Sequence, residues 1–574
     1  MEITEKEKNE VLAKAKEYLK WEKSEVFKKE VEDAILNNDY EDLYDRFYTA
    51  LAFGTAGMRG VIGGGTNRIN TYMVGRVTQG LADYLNRNSD SPSVSIAYDS
   101  RHWSKEFALY AALVLSANGV RTYLYDTLHP VPMLSYCTRK LGTTAGIVIT
   151  ASHNPSKYNG YKVYWSDGGQ VTPPHDIGIT ECVHAVSDEN VKTMSEDEAR
   201  MSGILSSVPE EVDESYFEMV ISSLRRPELV KKSPVKVAYT PLHGSGLVPL
   251  TTMLSRLGME VAVVEEQKAP DGSFPTVKLP NPESAEAMQK VIALAKEIKA
   301  DIVLGTDPDA DRLGIAIPKT EAKDETVYIL LTGNQIATLL ADYLLVTEKE
   351  QGKAKDKPML VKSLVTTDLV KKIAEKNGGE CRDVLTGFKY IAEQIQMIDD
   401  NPGCGRHFLF GCEESYGFLT VPSVRDKDAV SSAVAAVEMM CHYKEQGITL
   451  QDRLDAIYAE YGYSTEVVFA RDYEGAEGKA KMASIMANMR SLKKGDVLVS
   501  RTIESLVDLK GENTGFPKAD VIIIRFESGE KLVVRPSGTE PKIKYYLFLT
   551  EGEGGRKALE ENKGNILEEF KAAL

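Results

Sequence analysis

The sequence has few cysteines, no long apolar run and no surplus of positive charge. Its six cysteines are scattered and none forms a C-x-x-C pair, so neither a zinc site nor a disulfide framework is indicated. Reduced thiols and a cytoplasmic location are therefore expected. The lack of any run of about 18 apolar residues excludes a membrane-spanning helix. The net charge of −16 argues against nucleic acid or an anionic membrane as a partner, because both bind basic faces.

Internal repeats and low-complexity tracts are also absent, and the start of the chain lacks the apolar centre of a signal peptide. Residues 1–19 predict an amphipathic helix instead. The chain has 574 residues, whereas a single core stops growing near roughly 250–300 residues, so several domains are expected. An acidic chain that binds an anion must concentrate its cations locally, which directs attention to short basic loops.

Short β-rich apolar runs alternate with longer segments of helical periodicity, and this alternation predicts parallel α/β layers. The runs lie at 93–99, 145–150, 235–240, 260–266, 301–307 and 407–411. From near residue 460 the pattern changes to that of a compact α+β unit, in which ADVIIIRFES and KLVVRP predict a hairpin. Unusual motifs directly follow several of the runs. Open parallel sheets bind ligands just beyond the carboxyl ends of their strands, so these motifs are the candidates for chemistry.

The first motif is TASHNPSKYNGYKVY, from Thr150 to Tyr164, which begins as a strand run ends. Its Asn-Pro and Asn-Gly pairs predict a tight polar loop that displays Ser152, His153 and Lys162. Such a serine is a nucleophile where cations and backbone N–H groups stabilise charge on its oxygen. A serine that only caps the loop is the alternative.

The second motif, GTDPDADRLG, follows the strand run DIVL and contains Asp307, Asp309 and Asp311. In an extended segment these alternate residues would point the same way, and their carboxylates would repel one another without a cation between them. Hard oxygen ligands suit Mg²⁺ or Ca²⁺, and the run lacks the glycine and glutamate of an EF-hand, which favours Mg²⁺. A solvated acidic turn is the alternative.

The third and fourth motifs also follow strand patterns. GCEESYGF carries Glu413 and Ser415, which suit the hydroxyl groups of a sugar, although a surface acidic turn is equally expected. RPSGTEPKIKYY carries Arg535 and Ser537, whose guanidinium and hydroxyl groups suit a phosphate. A plain hairpin connection is the alternative there.

Two shorter motifs each place one cation in a loop. FGTAGMRG carries Arg59 in a glycine-rich segment that does not match a dinucleotide-binding fingerprint, and a flexible turn is the alternative. TGFKY carries Lys389, and a lone exposed lysine is the alternative.

Taken together and in this order, the motifs resemble those of the α-D-phosphohexomutase superfamily, phosphoglucomutase type, from about residue 40 to the C-terminus. The resemblance implies three similar mixed α/β domains and a smaller C-terminal α+β domain around a central cleft. The expected ranges are 1–205 with the phosphoserine loop, 206–320 with the metal-binding loop, 321–455 with the sugar-binding loop and 456–574 with the phosphate-binding loop.

The resemblance also implies a role for each matching position. Ser152 corresponds to the phosphoserine, and together with Asp307, Asp309 and Asp311 it forms the expected Mg²⁺ site. Arg59 and Lys162 correspond to the acid/base or charge-stabilising residues. The expected substrate-binding positions are His153, Arg312, Lys389, Glu413, Ser415, Arg535, Ser537, Gly538 and Thr539.

The activity implied by the resemblance is the interconversion of glucose 1-phosphate and glucose 6-phosphate. Phospho-Ser152 is expected to phosphorylate the sugar phosphate, and the bisphosphate intermediate then returns its other phosphate to Ser152. Glucose 1,6-bisphosphate is the expected activator, sugar phosphates are the expected partners, and the chain is expected to be a monomer or a weak homo-oligomer.

Alternatives to this activity remain open on the sequence alone. The second acid of EES, Glu414, favours glucose phosphate, whereas the GTAGMRG start also resembles phosphopentomutases and glucose bisphosphate synthases. Phosphomannomutase activity is a further alternative. A non-catalytic phosphosugar-binding protein is the alternative from another class, although Ser152 and the three aspartates are intact.

Overall fold

The structure is a computed structural model, and it describes residues 3–54, 57–320, 326–352, 356–473, 475–537, 542–552 and 555–574. Within these residues, four β-sheets with flanking helices follow one another along the chain. The expected fold class is confirmed: three mixed α/β units precede a C-terminal α+β unit. No helix in the described ranges has both the length and the apolar character needed to cross a membrane.

Three helices precede the first sheet: α1 (Glu5–Trp21), α2 (Glu25–Leu36) and α3 (Tyr40–Phe47). Helix α1 confirms the amphipathic helix expected at the N-terminus. Thr4 and Glu7 form a capping box at its start, which satisfies free backbone N–H groups there. Its buried face packs with α2 and α3 in a small apolar cluster that includes Tyr18 and Phe47.

The first sheet has the strand order β1-β5-β4-β2-β3-β6. Its strands are β1 (Gly57–Val61), β2 (Ser93–Tyr98), β3 (Arg121–Leu124), β4 (Ala145–Ile149), β5 (Tyr158–Trp165) and β6 (Leu205–Ser207). Its helices are α4 (Thr71–Asn88), α5 (Ser104–Ala117), α6 (Val131–Leu141), α7 (His175–Ala185) and α8 (Glu196–Met201), with a short 3₁₀ helix at Asp188–Asn190. Strands β4, β2, β3 and β6 are parallel, whereas β5 and β1 are antiparallel to their neighbours.

The second sheet has the order β11-β10-β9-β7-β8. Its strands are β7 (Val237–Thr240), β8 (Val261–Val263), β9 (Ile302–Thr306), β10 (Leu313–Thr320) and β11 (Thr326–Leu330). Its helices are α9 (Glu210–Ser223), α10 (Pro227–Lys232), α11 (Leu247–Arg256), α12 (Glu265–Lys268) and α13 (Ala285–Ile298). The run at 260–266 yields only the short strand β8, which is partly exposed because it lies at the sheet edge.

The third sheet has the order β13-β12-β14-β15. Its strands are β12 (Lys357–Ser363), β13 (Glu380–Val384), β14 (Arg406–Glu413) and β15 (Gly417–Leu419). Its helices are α14 (Gly333–Gln351), α15 (Leu369–Lys376), α16 (Lys389–Asp399), α17 (Ala429–Glu445) and α18 (Leu450–Tyr461). Helix α17 is buried along nearly its whole length and packs against both the second and the third sheet units, which joins their cores.

The fourth sheet is entirely antiparallel, in the order β16-β21-β20-β19-β18-β17. Its strands are β16 (Ser464–Asp472), β17 (Val497–Leu498), β18 (Arg501–Asp508), β19 (Ile522–Phe526), β20 (Lys531–Pro536) and β21 (Lys542–Thr550). Its helices are α19 (Gly475–Ser491) and α20 (Gly555–Ala573). Strands β19 and β20 confirm the hairpin expected from ADVIIIRFES and KLVVRP.

The domain boundaries stay a prediction. Strand β11 lies beyond the boundary expected at residue 320, yet it pairs with β10 in the second sheet. A unit defined by its sheet therefore extends past that residue.

Candidate active site

Each of the four principal motifs lies at the turn of an antiparallel strand pair. The serine loop joins β4 to β5, the aspartate loop joins β9 to β10, and the EES loop joins β14 to β15. The RPSGTEP loop joins β20 to β21. In the first three units the strand that enters the loop is also paired with a parallel neighbour, so each loop starts at the carboxyl edge of its parallel strands.

The serine loop directs Ser152 toward the aspartate loop. Ser152 Oγ donates a hydrogen bond to Asp307 Oδ2 at 2.7 Å and lies 3.1 Å from His153 Nδ1. Its backbone is left-handed, with φ 52°, a conformation that costs a non-glycine residue about 1–2 kcal/mol. The residue is only 6% exposed. Contacts around the loop must therefore hold this serine in place.

The aspartate loop is a tight turn and not the extended segment that the sequence suggested. Ala310 has a positive φ of 48°, and Asp307 Oδ1 accepts hydrogen bonds from the backbone N–H groups of Asp311 and Arg312 at 3.1 and 3.0 Å. The turn still brings the three carboxylates together: one oxygen from each of Asp307, Asp309 and Asp311 lies within 4.8 Å of the others. The three carboxylates therefore converge as expected. The cause is the tight turn of the loop and not the alternation of side chains along an extended strand.

These three carboxylates fit a divalent cation. All three side chains are buried, and the Oδ1 atoms of Asp309 and Asp311 have no hydrogen-bond partner among the described residues. Burial and the two neighbouring carboxylates raise the pKa of Asp307 well above its ordinary value. Buried carboxylates with unused oxygen atoms suit a hard cation, which would remove their mutual repulsion. The aspartate triad can thus hold a metal ion.

Two lysines approach the triad from different units. Lys162 Nζ on β5 lies 3.0 Å from Asp309 Oδ2, and Lys427 Nζ lies 3.0 Å from Asp311 Oδ2. Burial acts to raise the pKa of Asp311, but Lys427 and then Lys162 outweigh it and lower that pKa. Lys427 was not among the residues expected from the sequence. The sequence VRDKDAV, just before the helical pattern of α17, is the signal that could have indicated it.

Lys427 is held by a neighbouring acid. Its Nζ lies 3.1 Å from Asp426 Oδ1, and Asp426 Oδ2 accepts a hydrogen bond of 2.7 Å from the Tyr164 hydroxyl. Tyr164 belongs to β5, as Lys162 does. The contact therefore ties the segment before α17 to the strand that leaves the serine loop.

The cations next to the serine loop come from the first and second units. Arg59 on β1 donates from Nη1 to Asn154 Oδ1 at 2.9 Å. Arg312 pairs with Glu283. Burial, followed by the charge of Arg312, lowers the pKa of His153 to about 3, so its imidazole is neutral near pH 7.

The EES loop is adjacent to the aspartate loop. Leu313 N donates to Tyr416 O at 3.0 Å, and Arg312 forms a β-bridge with Gly417. Within the loop, Glu413 Oε1 accepts a hydrogen bond of 2.8 Å from Gly387 N, which belongs to the TGFKY segment. Ser415 is partly buried.

Glu414 directly follows Glu413 in the chain, and Lys389 lies two residues after Gly387. Glu414 Oε2 accepts a hydrogen bond of 3.1 Å from Ser363 Oγ. Burial, and then the charge of Glu413, raises the pKa of Glu414 to about 7. Lys389 is the first residue of α16, and its Nζ lies 5.3 Å from the centre of the Tyr390 ring.

A cavity of about 690 Å³ connects the serine loop with the RPSGTEP loop. Four cationic residues line it: Arg59, Arg312, Arg535 and Lys544. Three sheet units supply them, and in a chain with a net charge of −16 this concentration of cations favours an anionic ligand. Lys544 was not among the residues expected from the sequence, although it lies in the KIKYY part of the RPSGTEPKIKYY motif.

The expected positions thus fall into separate groups. The cluster around the triad contains Ser152, Lys162, Asp307, Asp309 and Asp311. The cavity is lined by Arg59, His153, Arg312, Arg535 and Ser537 among others. Glu413, Ser415 and Lys389 do not belong to the residues lining this cavity and lie in the third unit. Gly538 and Thr539 lie outside the described residues.

Comparison with known proteins identifies relatives over most of the chain. Three domain models of the phosphoglucomutase/phosphomannomutase family match it: alpha/beta/alpha domain I at residues 50–190, domain II at 214–320 and domain III at 332–461. A phosphoglucomutase from Staphylococcus aureus (strain MRSA252) is 37% identical over 541 residues, which cover 92% of this chain and 95% of the relative. One from Staphylococcus epidermidis is 36% identical over 534 residues, covering 91% and 94%.

Solved structures share the fold. A phosphoglucomutase/phosphomannomutase family protein from Burkholderia thailandensis has a TM-score of 0.65 at 18% identity, covering 91% of this chain and 97% of that protein. The open form of parafusin, a phosphoglucomutase from Paramecium, has a TM-score of 0.67 at 16% identity, covering 91% and 96%. At these identities the likeness concerns the fold alone.

Proposed function

The chain belongs to the phosphoglucomutase/phosphomannomutase family, and we propose that it is a phosphoglucomutase that interconverts glucose 1-phosphate and glucose 6-phosphate. It is accordingly an isomerase that works by phosphoryl transfer. One observation carries the proposal at the level of the site. Ser152 Oγ lies 2.7 Å from an oxygen of the buried aspartate triad, beside a cavity lined by cations.

In the proposed reaction, Ser152 carries a phosphoryl group in the resting enzyme. The bond between Ser152 Oγ and phosphorus breaks as a bond forms from phosphorus to the free hydroxyl oxygen of the sugar monophosphate, and the proton of that hydroxyl ends on Ser152 Oγ. The resulting glucose 1,6-bisphosphate reorients and returns its other phosphate to Ser152, which regenerates the phosphoenzyme. In this scheme the bisphosphate also acts as the activator that loads an unphosphorylated enzyme.

The chain's own residues would stabilise the transferring group by charge. The pKa of Lys162 is raised because Asp309 and Asp311 outweigh the effect of burial, so its ammonium group stays protonated and suits charge stabilisation. Arg59 is the second candidate cation. Mg²⁺ held by phospho-Ser152, Asp307, Asp309 and Asp311 would neutralise charge on the transferring phosphoryl group.

The remaining residues would bind and orient the sugar phosphate. Arg535 and Ser537, with Gly538 and Thr539 in the same motif, would hold the phosphate that is not reacting. Arg312, His153 and Lys389 would add contacts around the cavity. Glu413 and Ser415, with Glu414 between them, would accept or donate hydrogen bonds to sugar hydroxyls.

Location and partners follow from the same proposal. The binding partners would be sugar phosphates, held in the cationic cavity, and nucleic acid would not be a partner. All six cysteines are unpaired, which supports a reducing compartment such as the cytoplasm.

The resting state provides the test. The purified protein would be dephosphorylated, the mass loss confirmed, and glucose 1-phosphate conversion measured with and without glucose 1,6-bisphosphate. We expect activity only after loading, and faster turnover with glucose 1-phosphate than with ribose 1-phosphate or mannose 1-phosphate. Full activity in the dephosphorylated protein with no detectable bisphosphate would contradict the phosphoserine route. Preference for ribose 1-phosphate or mannose 1-phosphate would contradict the substrate assignment.

A further inference from the structure

A buried arginine behind the serine loop holds the loop backbone. Arg101 lies shortly after β2, and its side chain is 0% exposed. Nη1 donates to the carbonyl oxygens of Pro155 and Tyr158 at 2.9 and 3.0 Å, and Nη2 donates to those of Ser152 and Asn154. One planar guanidinium group thus donates hydrogen bonds to four carbonyl groups of the loop.

The guanidinium is itself fixed from two sides. Arg101 Nε lies 3.4 Å from Asp99 Oδ2, and Asp99 is also buried. The Phe274 ring of the second unit packs against the guanidinium, with its centre 4.9 Å from Cζ. The side chain therefore has little freedom to release the loop.

Asp99 extends these contacts to the catalytic serine and to the aspartate loop. Its Oδ2 accepts a hydrogen bond of 2.6 Å from the Thr150 hydroxyl. Thr150 Oγ1 in turn accepts a hydrogen bond of 2.9 Å from Ser152 N and lies 3.2 Å from Asp309 Oδ2. Both backbone groups of Ser152 are thereby held, the N–H by Thr150 and the carbonyl by Arg101.

We infer that Arg101, acting with Asp99 and Thr150, is a positioning residue for phosphoryl transfer: it holds Ser152 in the left-handed conformation that directs Oγ at the aspartate triad. The inference rests on the proposed function. A serine disfavours this conformation, so external hydrogen bonds must select it. Arg101 does not itself line the cavity that contains Arg535, so it makes no direct contact with a ligand bound there.

A lysine cannot replace this arginine. Its ammonium is a point charge with three donors and cannot reach four carbonyl oxygens in the geometry of a planar fork. In addition, a second cavity, of about 440 Å³, has Asp99, Arg101 and Trp103 among its lining residues. Neither Ser152 nor the aspartate triad lines that cavity. Because residue 101 lines this cavity, Arg101→Ala would give a guanidinium ion from solution a route to the space that the side chain vacates.

The first test is Arg101→Lys in the full-length, phosphorylated enzyme. We expect kcat for glucose 1-phosphate to fall about 100-fold, because small misplacement of a reacting group has this effect. KM should stay within about threefold, since the cationic side chains that line the substrate cavity are unchanged. The matched control is Arg453→Lys, whose arginine pairs with Asp342 at 2.7 Å. It should lower Tm with kcat unchanged.

Chemical rescue distinguishes positioning from a structural role. Arg101→Ala should lose turnover and regain part of its kcat when guanidinium is added, whereas added ammonium should have no effect. A variant that stays folded and is not rescued would assign Arg101 a structural role and overturn the inference. Wild-type kcat in Arg101→Lys, or a rise in KM in place of a fall in kcat, would also overturn it.

The Thr150 hydroxyl provides a second route if the Arg101 variants do not fold. Thr150→Val removes the hydroxyl at nearly constant volume, while Thr150→Ser keeps it. Low kcat in the first variant and near wild-type kcat in the second support the network, and equal kcat in the two overturns it. Wild-type enzyme that fails to convert glucose 1-phosphate after loading with glucose 1,6-bisphosphate would instead contradict the proposed function.

Discussion

At the scale of single residues, the site shifts the pKa values of its side chains away from those in water. His153 is neutral because burial, followed by Arg312, lowers its pKa to about 3. Lys162 stays charged because Asp309 and Asp311 outweigh its burial. Glu414 has a pKa of about 7 because burial and Glu413 both oppose its ionisation. Small changes in these neighbours should therefore alter activity more than stability.

Ser152→Ala should abolish turnover while the protein stays folded. The variant removes the hydroxyl oxygen that lies 2.7 Å from Asp307 Oδ2, and loss of a nucleophile lowers kcat by about 10⁴-fold or more. The free energy of unfolding should change by about 1 kcal/mol or less. A coupled assay and a thermal melt measure both effects. Ser156→Ala, in the same loop, should retain near wild-type turnover, and near wild-type turnover in Ser152→Ala would exclude the serine as phosphoryl carrier.

Glu414→Gln should lower kcat/KM for glucose 1-phosphate about tenfold, the effect expected when one hydrogen bond to a charged group is lost. It should also change the pH dependence of stability. The raised pKa of Glu414 means that the folded state holds the proton more tightly than the unfolded chain does. Its contribution to stability is therefore present at low pH and is lost as pH rises from about 4.5 to about 7.

The measurement is Tm against pH for the wild type, Glu414→Gln and the control Glu218→Gln, which changes an exposed carboxyl on α9. The first substitution should flatten the profile over this window and the control should not. Identical profiles in all three proteins would show that Glu414 does not titrate in this range.

At the scale of elements, the first three units repeat one structural arrangement. A buried parallel strand ends in a loop and continues as an antiparallel partner strand, and a non-glycine residue in each loop has a positive φ: Ser152, Ala310 and Tyr416. The left-handed residue turns the chain sharply enough to aim polar side chains away from the sheet edge. Loops on a rigid scaffold of this kind can place chemistry accurately.

The aspartate loop should bind Mg²⁺ with a measurable gain in stability. Adding Mg²⁺ should raise Tm of the wild type, because the cation removes repulsion among three buried carboxylates. Asp309→Asn should remove most of this rise and lower kcat about 100-fold. Excess chelator should lower the kcat of the wild type in the same way. Asp301→Asn is the control, since that aspartate pairs with Lys444 outside the loop and should leave the rise intact. An equal rise of Tm in Asp309→Asn would place the cation elsewhere.

At the scale of the whole molecule, the fourth unit is joined to the third by a charged contact and an apolar cluster. Lys531 Nζ lies 3.0 Å from Asp368 Oδ1, which also pairs with the fully buried Lys362 at 3.0 Å. Leu364 and Leu385 of the third unit pack in the same cluster as residues of β20 and β21. Lys531 begins β20, the strand that ends at the RPSGTEP loop, so this contact helps to place the phosphate-binding residues.

Lys531→Met should raise KM for glucose 1-phosphate about tenfold, which corresponds to about 1.4 kcal/mol, with a smaller effect on kcat. Burial lowers the pKa of Lys531 to about 8 against the opposing effect of Asp368, so KM of the wild type should also rise above about pH 8. Steady-state kinetics from pH 7 to 9 would measure both. Lys557→Met, at a side chain that is 87% exposed in the same unit, is the control. A KM equal to that of the wild type in Lys531→Met would show that the contact does not place the phosphate loop.

Local patterns in the sequence determined much of this architecture. The apolar runs at 93–99, 145–150 and 301–307 became buried strands because their continuous β-branched and aliphatic residues satisfy both faces of a covered sheet. The turn residues and charged residues that follow these strands indicated where the side chains of the active site would lie. These features depend on neighbours a few residues apart, so the linear order was sufficient to identify them.

The packing of the units decided the rest. Three features of the site bring together residues that are far apart in the chain. They are the ion pair of Lys427 with Asp311, the cavity lined by Arg59 and Arg535, and the hydrogen bonds from Arg101 to the serine loop. The turn of the aspartate loop likewise depends on Ala310 having a positive φ, which its residue type disfavours. Contacts of this kind are selected by the summed packing of several sheets and by the need to pair buried charges, and no local pattern in the sequence records that sum.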